Sequence, residues 1–277
     1  MGGIGDQINQ YIFGSYVAKK KKIKLILDSS YYLENPAFPI RLDKFKITNS
    51  QIENNVLKIS PRYISYLRFF NFKFILQLIS NFKIEYFNYE YWKKNDEFKI
   101  KSYKDESYFF GYWHNKKYYK KDIVNRLQLK RKSKKVINYL KMIKRNYVAV
   151  HIRGGDFLND IHAVVLNEAY YIKAIKYFEN KITNPIFYVF TNDLSHAKKI
   201  LKKNDNNKFI FVKKFKLKDF EEFELLRNFQ NYIISNSTFG WTASLLSKKR
   251  KYICAPKKWY KNIKIDKKRV LKETVII

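Results

Sequence analysis

Cysteine is almost absent from this sequence of 277 residues, which contains only Cys254. One cysteine excludes an intramolecular disulfide and a cysteine-based zinc site, and it fits a reducing compartment. Acidic residues are also scarce, since 24 Asp and Glu stand against 57 Lys and Arg. No Asp-x-Asp sequence occurs, so the usual acidic clamp for a divalent ion on a nucleotide diphosphate is missing. We therefore expect no metal site, and we expect Cys254 to be a small buried residue in a strand.

Uninterrupted apolar segments are missing as well. Residues 1–18 carry Asp6 and other polar side chains where a signal peptide would have an apolar core. The longest apolar stretch, Ile64–Phe82, contains Arg68 and Lys73, which makes it a poor membrane-spanning helix. It favours an ordinary packed helix, although the pattern also suits a helix in a membrane interface. We expect the protein in the cytoplasm or peripherally at the inner face of the cytoplasmic membrane.

Positive charge is abundant, with a formal net charge of +33. Such a charge attracts polyanions, namely nucleic acid, anionic lipid surfaces and phosphate-bearing small molecules. The basic runs Lys19–Lys22 and Lys130–Lys135 are either solvated surface or docking sites for anionic headgroups. Basic charge combined with 23 Tyr and 23 Phe also suits single-stranded nucleic acid. The charge is spread over the chain, however, and no nucleic-acid fold signature is present, so we expect no nucleic-acid partner.

The second half alternates short apolar runs with helical patterns. This alternation predicts a parallel sheet covered by helices on both faces. The predicted strands are Tyr147–Arg153, Ile186–Thr191, Phe209–Val212, Tyr232–Ser235 and Tyr252–Cys254, and the predicted helices are Asn167–Asn180, Leu194–Leu201, Asp219–Phe229 and Phe239–Leu246.

The first half opens on a glycine-rich turn, Gly2–Gly5, which leads into a helical pattern that reaches Ala18. Lys24–Leu27 predicts a strand that ends at Asp28. A glycine-rich turn normally follows a strand, so we expect the first strand of this domain to be missing from the sequence. The segment Ile84–Tyr119 is aromatic and irregular. A junction within residues 130–146 predicts an amino-terminal domain over 1–140 and a carboxyl-terminal domain over 141–277.

The turn continues as Gly2-Gly3-Ile4-Gly5-Asp6-Gln7. Glycine lets a backbone approach a ligand closely, and a helix that begins here directs free N–H groups towards phosphate or sugar oxygens. The full dinucleotide pattern G-x-G-x-x-G is not complete, because Ile8 stands at the last glycine position. A plain tight turn remains the alternative.

A second motif, His151-Ile152-Arg153-Gly154-Gly155-Asp156, stands at the carboxyl end of a predicted strand, where parallel sheets bind ligands. The guanidinium of Arg153 is suited to phosphate oxygens, and it would stabilise the charge that develops on a departing diphosphate. Alternation along the strand places His151 and Arg153 on the same side. The alternative is a strand-ending turn with an Arg–Asp pair on the surface.

Two further motifs follow strand ends. Ser235-Asn236-Ser237-Thr238-Phe239-Gly240-Trp241 provides hydroxyls that cap a helix and leave its amides free for phosphate, with capping alone as the alternative. In Phe190-Thr191-Asn192-Asp193 we expect the last residue to be a helix N-cap. The histidines His114, His162 and His196 are not spaced like metal ligands.

In this order the motifs resemble those of the alpha-1,2-fucosyltransferases of glycosyltransferase family 11. That family typically shows Gly-Gly-Leu-Gly-Asn-Gln, His-x-Arg-Arg-Gly-Asp, Phe-Ser-Asp-Asp and Asn-Ser-Thr-Phe-Ser-Trp-Trp. The matching segments here are Gly2–Gln7, His151–Asp156, Phe190–Asp193 and Asn236–Thr242. The stretches Gly111–Tyr119 and Tyr170–Ile175 are also similar, so the resemblance covers nearly the whole chain.

The resemblance implies an α/β fold of the GT-B type, with two Rossmann-like domains and a cleft between them. It implies an inverting fucosyltransferase that needs no metal or other cofactor and moves fucose from GDP-L-fucose to a galactoside hydroxyl in alpha-1,2 linkage. The acceptor would be a glycan or lipid-linked glycan in surface glycan or lipopolysaccharide synthesis. The basic surface, and not the resemblance, suggests peripheral contact with an anionic membrane.

The resemblance also implies roles for individual residues. Arg153 would grip the pyrophosphate, and Glu222 would read the guanine edge. Asp6 would face the cleft, where we consider it as a general base towards the acceptor. The remaining donor-binding residues would be Gly5, Gln7, His151, Asp156, Asn236, Ser237, Thr238 and Phe239.

The sequence departs from the family pattern at several of these positions. Gly154 replaces the second Arg, Asp6 replaces Asn and Glu222 replaces Asp, while Gly240 and Thr242 replace Ser and Trp. Three alternatives therefore stay open, namely a transferase for another GDP-6-deoxyhexose, a relative that binds a GDP-sugar without transfer, and a basic nucleic-acid-binding protein.

Overall fold

The computed structural model describes residues 2–35, 38–54, 56, 83–86, 107–161, 163–202, 206–261, 263–264 and 269–277. The chain divides into two compact units, Met1–Lys130 and Arg131–Ile277. The helix expected at Ile64–Phe82 and the loop residue His162 lie outside the described residues.

The first unit begins with the helix that the sequence predicts. Helix α1 spans Ile4–Lys21, longer than the predicted pattern, and it ends at Lys22 in the left-handed conformation (φ 58°). Its buried face includes Ile8, Ile12 and Phe13, which recur at helical spacing. The ring of Phe13 stacks on Trp113 with a centroid distance of 4.3 Å.

Two pairs of parallel strands complete this unit. Strands β1 (Leu25–Asp28) and β2 (Ser50–Glu53) pair with each other, as do β3 (Lys83–Tyr86) and β4 (Ser107–Phe110). A cavity of about 230 Å³ lies between α1, β1 and β4. Asp28 and Tyr108 line it, and the Tyr108 hydroxyl donates to Asp28 Oδ2 at 3.0 Å. The short helices α2 (Ser30–Glu34) and α3 (Lys121–Arg126) and the 3-10 turns Leu42–Lys44 and Lys116–Tyr118 connect these elements.

Strands β3 and β4 correct the expectation of an irregular segment over Ile84–Tyr119. Each is only four residues long, and the two are distant in sequence. A parallel pair needs a long connection between its strands, so its formation is decided by tertiary pairing and leaves little local periodicity.

The second unit contains a six-stranded parallel sheet, and the predicted alternation of strands and helices is confirmed. The strands of the sheet are β5 (Tyr147–Ile152), β6 (Ile186–Thr191), β7 (Phe209–Phe211), β8 (Asn231–Ile233), β9 (Tyr252–Ala255) and β12 (Thr274–Ile276). Their order in the sheet is β12-β9-β8-β5-β6-β7, and β12 at the edge was not predicted. A separate antiparallel pair is formed by β10 (Lys258–Tyr260) and β11 (Ile263–Lys264).

The helices of this unit are α4 (Lys134–Met142), α5 (Asp156–Asn159), α6 (Glu168–Lys181), α7 (Leu194–Leu201), α8 (Asp219–Leu226) and α9 (Thr238–Leu246). Two 3-10 turns lie at Asn206–Lys208 and Val212–Phe215.

The core of this unit is centred on β5. Val148 and Val150 are fully buried and belong to one cluster with Ala174 and Phe178 of α6. Because β5 is covered on both faces, it is apolar at nearly every position instead of alternating.

Helix α4 belongs to the second unit, which therefore begins earlier than residue 141. The ring of Tyr139 stacks on Phe215 at 3.9 Å, and Lys132 Nζ lies 2.9 Å from the buried carboxylate of Glu224. Arg227 Nε lies 2.8 Å from Oε2 of the same Glu224 carboxylate. A buried carboxylate needs such partners, so this ion triplet ties the start of the unit to α8.

Candidate active site

The carboxyl ends of β5 and β8 form the topological switch point of the parallel sheet. From β5 the chain proceeds through β6 to β7 on one side, and it then returns to β8 on the other side of β5. Ligands of open α/β sheets bind in the crevice outside such a point. The His151–Asp156 motif begins in the last two residues of β5, and the Ser235–Trp241 motif follows β8, so the fold brings the two predicted motifs together.

His151 joins the two strand ends. Its Nδ1 lies 2.7 Å from Ser235 Oγ, and its ring lies nearly parallel to that of Phe239 at 5.4 Å. Burial lowers the pKa of His151 to about 3, and the neighbouring charge of Arg153 contributes in the same direction. The imidazole is therefore neutral at pH 7, and it orients the Ser235 loop without adding charge.

Gly240 makes this packing possible. A Cβ at this position would lie 3.0 Å from Cγ and Nδ1 of His151, closer than side chains normally approach. The glycine in place of the family's serine thus lets α9 approach the imidazole directly.

Arg153 is held by the residues that follow it. Its Nη2 donates to Asp156 Oδ2 at 2.7 Å, and its guanidinium lies 5.2 Å from the centre of the Phe157 ring. The side chain is 24% exposed, while its Nε is buried without a hydrogen-bond partner among the described residues. Asp156, which was predicted to bind the donor, is placed to orient the guanidinium. The Arg–Asp pair that the sequence offered as the alternative to a phosphate site is therefore present.

The turn Gly154–Gly155 packs against the start of α7. The Gly154 amide donates to Asn192 Oδ1 at 2.9 Å, and Asn192 Nδ2 donates back to the Gly154 carbonyl at 3.0 Å. A Cβ at Gly154 would lie 2.8 Å from Cβ of Asp193, and Gly155 has a φ of +60°. Glycine instead of the family's second arginine therefore lets this turn lie directly on α7.

Asp193 is the N-cap of α7, as the sequence predicts. Its Oδ1 accepts from the His196 amide at 2.9 Å, and its Oδ2 accepts from the Gly155 amide at 3.3 Å. The same carboxylate thus caps a helix and holds the arginine turn. This second contact and the role of Asn192 were not predicted, because strand spacing does not show which strand ends meet.

The segment after β8 is anchored by side chains. Asn236 Nδ2 donates to the carbonyls of Val164 and Trp259 at 2.9 and 2.8 Å. Ser237 is the N-cap of the nine-residue helix α9 and accepts from the Phe239 amide at 3.4 Å. Thr238 and Phe239 open the helix and are half-buried. A helix start of this kind provides N–H groups for an anion.

Glu222 lies on α8, next to α9. The adjacent Phe223 packs its ring edge against Phe239 at 5.3 Å. Glu222 is only 9% exposed, and burial raises its pKa to about 7, with Asp219 adding to the rise and Lys213 opposing it. Lys213 Nζ lies 3.9 Å from Oε1 of Glu222. The carboxyl group is therefore poised between its two protonation states near neutral pH.

Three predicted residues occupy the start of α1 in the first unit. The Gly5 carbonyl accepts from Asn9 Nδ2 at 2.7 Å. Gln7 is buried: its Nε2 donates to the Gly2 and Pro39 carbonyls, and its Oε1 accepts from the amides of Arg41 and Leu42. The amide of Gln7 thus holds the 39–42 loop, and its role towards a donor stays a prediction. Asp6 Oδ1 lies 2.9 Å from His114 Nε2, a contact that sequence spacing does not reveal.

The described parts of the chain contain no group of three or more His, Cys, Asp or Glu side chains arranged to hold a metal ion. Within the same ranges, no helix combines the length and apolarity needed to cross a bilayer. Cys254 is a buried thiol in β9, as predicted, and burial raises its pKa to about 12.

Comparison with solved structures identifies the fold class. The chain is similar over its full length to E. coli ADP-heptose lipopolysaccharide heptosyltransferase II, with a TM-score of 0.51 at 9% identity and 88% coverage of that protein. The fold, with a parallel sheet in its second unit, is of the GT-B type.

Sequence comparison then identifies the family. Residues 61–275 match the model of glycosyl transferase family 11, and the chain belongs to this family. It is 27% identical to an alpha-1,2-colitosyltransferase of Escherichia coli, in an alignment that covers 96% of this chain and 92% of that protein. It is 26% identical to the O-antigen biosynthesis glycosyltransferase WbnK of Escherichia coli, in an alignment that covers 94% of this chain and 93% of that protein. The chain is thus a glycosyltransferase, as its motifs predict.

Proposed function

We propose that this glycosyltransferase moves a 6-deoxyhexose, with L-fucose as the first candidate, from its GDP-sugar to a galactoside hydroxyl in alpha-1,2 linkage. The arrangement of His151, Ser235 and Phe239 beside Arg153 at the sheet's switch point carries this proposal. A neutral imidazole, a guanidinium and a helix start at one crevice suit a diphosphate donor. The O-antigen relative supports an acceptor in a surface glycan such as lipopolysaccharide.

In this proposal the acceptor hydroxyl attacks the anomeric carbon of the donor while the bond to GDP breaks, which inverts the configuration. Arg153 and the first amides of α9 stabilise the negative charge that develops on the β-phosphate. An oxygen of that phosphate would also provide an acceptor for the unpartnered Nε of Arg153. Ser237, Thr238 and Phe239 would hold the phosphates, and Glu222 would accept from the N–H groups of guanine. We propose that no metal ion takes part.

A second candidate donor is an activated colitose. The relative named alpha-1,2-colitosyltransferase favours it, because that protein is similar to the chain over nearly its full length. The chemistry at Arg153 and α9 would be the same, and only the sugar would differ.

The test is transfer from GDP-L-fucose and from activated colitose to a panel of β-galactosides in excess EDTA. Arg153→Ala should lower kcat/KM by on the order of 10²–10³-fold, because it removes one charge-stabilising donor. Arg153→Lys should recover only part of this loss, since it keeps the charge but not the planar fork. Asp156→Asn is the matched control for orientation, and we expect a smaller loss.

Each result decides a separate point. Transfer of colitose without fucose would replace the first donor by the second. Transfer that EDTA abolishes would contradict the proposal of a metal-independent reaction. A chain that fails to bind GDP in calorimetry, or an Arg153→Ala variant with unchanged kcat/KM, would contradict the proposed site.

A further inference from the structure

Two acidic side chains of helix α8 differ in how their charge is balanced. Glu224 is fully buried, and Lys132 Nζ and Arg227 Nε lie 2.9 and 2.8 Å from its carboxylate. Glu222 is 9% exposed, and its ion pair within the described residues is a long one, with Lys213 Nζ 3.9 Å from Oε1. A separation of this length exceeds a hydrogen bond. The chain thus satisfies the carboxylate of Glu224 and leaves that of Glu222 open to a ligand.

The carboxylate of Glu222 lacks hydrogen-bond donors. Within the described ranges, no backbone or side-chain group donates to either of its oxygens. Burial disfavours the ionised form of such a group and raises the pKa of Glu222 to about 7. A bound ligand that supplies N–H groups to the two oxygens would offset this cost. Glu222 is therefore suited to a ligand with two neighbouring N–H donors.

Lys213 lies at the same edge of the sheet as the arginine turn. It belongs to the 3-10 turn Val212–Phe215, which follows β7 directly, and β7 runs parallel to β6 and β5. Glu222 reaches this edge from α8, where the neighbouring Phe223 packs against Phe239 at the start of α9. The pair and the proposed diphosphate site are thus in one unit, at the edge where parallel sheets bind ligands.

The ammonium of Lys213 is available to a ligand. Its side chain is 47% exposed, and the 3.9 Å contact with Glu222 uses none of its N–H groups in a hydrogen bond. An ammonium has three donors and no acceptor. Next to an open carboxylate, it completes a surface that offers a donor on one side and two acceptor oxygens on the other.

This pattern is the complement of one base edge. Guanine presents the acceptor O6 beside the donors N1–H and the N2 amino group. Adenine presents an amino donor where guanine has O6, and an acceptor at N1. An adenine base would therefore place its amino group against the ammonium and its N1 against the buried carboxylate. Unpaired buried groups of this kind give strong discrimination between ligands.

We propose that Lys213 is a specificity-determining residue for the donor, which donates to O6 of guanine while Glu222 accepts from N1–H and the N2 amino group. This inference rests on the proposed function, in which Glu222 alone was assigned to guanine. The pair selects GDP-sugars against ADP-sugars, because only guanine satisfies both side chains.

The experiment measures the Kd values of GDP, IDP and ADP by calorimetry at about pH 8, where most of Glu222 is ionised. IDP keeps O6 and N1–H but lacks the amino group. Lys213→Met removes the ammonium and keeps the length of the side chain. It should weaken GDP and IDP alike by about tenfold and leave ADP unchanged, because only the first two carry O6. Glu222→Gln should instead reduce the preference for GDP over IDP.

Lys214→Met is the matched control. Lys214 is the next residue of the same turn and is exposed, so this variant loses the same charge. It should leave all three Kd values within about twofold of the wild type. Lys213→Arg keeps a donor and should retain most of the preference for GDP over ADP. Thermal unfolding identifies a variant that fails to fold, and Lys213→Leu then takes the place of Lys213→Met.

Two outcomes would overturn the role of Lys213 alone. One is GDP binding with an unchanged preference over ADP in Lys213→Met, and the other is an equal loss for all three nucleotides, which would show a general effect of charge. A wild type that binds no GDP would overturn the proposed function together with this inference. The binding measurements thus separate the two failures without a need for transfer activity.

Discussion

Burial acts on two titratable side chains of the second unit with different consequences. It depresses the pKa of His151 to about 3, so that this imidazole stays neutral throughout the physiological range. It raises the pKa of Glu222 to about 7, so that this carboxyl titrates within that range. Binding that depends on Glu222 is therefore expected to vary with pH, whereas the His151–Ser235 contact is not.

A pH dependence of GDP binding follows from Glu222. Only the ionised carboxylate accepts from two guanine N–H groups, and a raised pKa means that this form is lost as pH falls through about 7. We expect the Kd for GDP to rise by about tenfold between pH 8 and pH 6, as one titrating group predicts. Isothermal titration calorimetry at both values measures it.

Glu222→Gln removes the titrating group and should bind GDP weakly at both values, with a smaller pH dependence than the wild type. Glu179→Gln is the control, because Glu179 pairs with Lys208 on the surface of α6 and should leave the wild-type dependence intact. Equal dependence in the wild type and in Glu222→Gln would refute the assignment.

At the scale of elements, the N-cap residues of this unit do more than cap a helix. The N-cap of α7 also holds the arginine turn, and the N-cap of α9 stands at the same switch point. The sequence-based prediction of strands and helices in this unit is confirmed within a few residues, because alternating apolar runs and capping residues are local signals. The linkage between cap and turn was not predictable from them.

Asp193→Ala tests that linkage. It should lower the free energy of unfolding by about 1 kcal/mol through loss of the cap, and it should also lower kcat/KM by roughly tenfold because the Gly155 amide loses its acceptor. Denaturant unfolding and steady-state kinetics measure the two effects.

Asn167→Ala is the matched control for the cap. Asn167 caps α6 by accepting from the Tyr170 amide at 3.3 Å, and it does not contact the arginine turn. We expect a similar loss of stability with unchanged kcat/KM. A parallel loss of activity in both variants would show that Asp193 acts only through stability.

At the scale of the whole molecule, the net charge of +33 is the dominant property. Part of the Lys130–Lys135 run is structural, since Lys132 pairs with buried Glu224. The other cations of the run are exposed and free to meet an anionic surface. The run is thus neither wholly solvated surface nor wholly a docking site.

A charge-reduced variant tests docking on a membrane surface. Each cation near an anionic bilayer contributes about 1 kcal/mol, so a variant without four of them should lose most of its partition onto phosphatidylserine-containing vesicles. Vesicle cosedimentation at low and high salt measures this loss, and phosphatidylcholine vesicles provide the uncharged reference. The replaced residues are Lys130, Arg131, Lys134 and Lys135, each changed to Gln.

A second variant with the same net charge provides the control. It replaces four exposed lysines on α6 and α7 and should keep more of the vesicle binding. Equal losses in the two variants would show that net charge alone, and not the run, governs binding. The control residues are Lys173, Lys176, Lys198 and Lys199.

The sequence by itself determined the order of strands and helices in the second unit and the motifs at the ends of β5, β6 and β8. These features depend on hydrophobic periodicity, glycine and capping residues, all of which act over a few neighbouring positions. Only the tertiary structure decided which distant residues meet. His114 and Asp6 are in contact although they are 108 residues apart, a separation far beyond the length of any motif. Strands β3, β4 and β12 form through pairing with strands elsewhere in the chain. Spacing along a chain carries no information on such contacts, because they depend on how the packed elements are arranged in space.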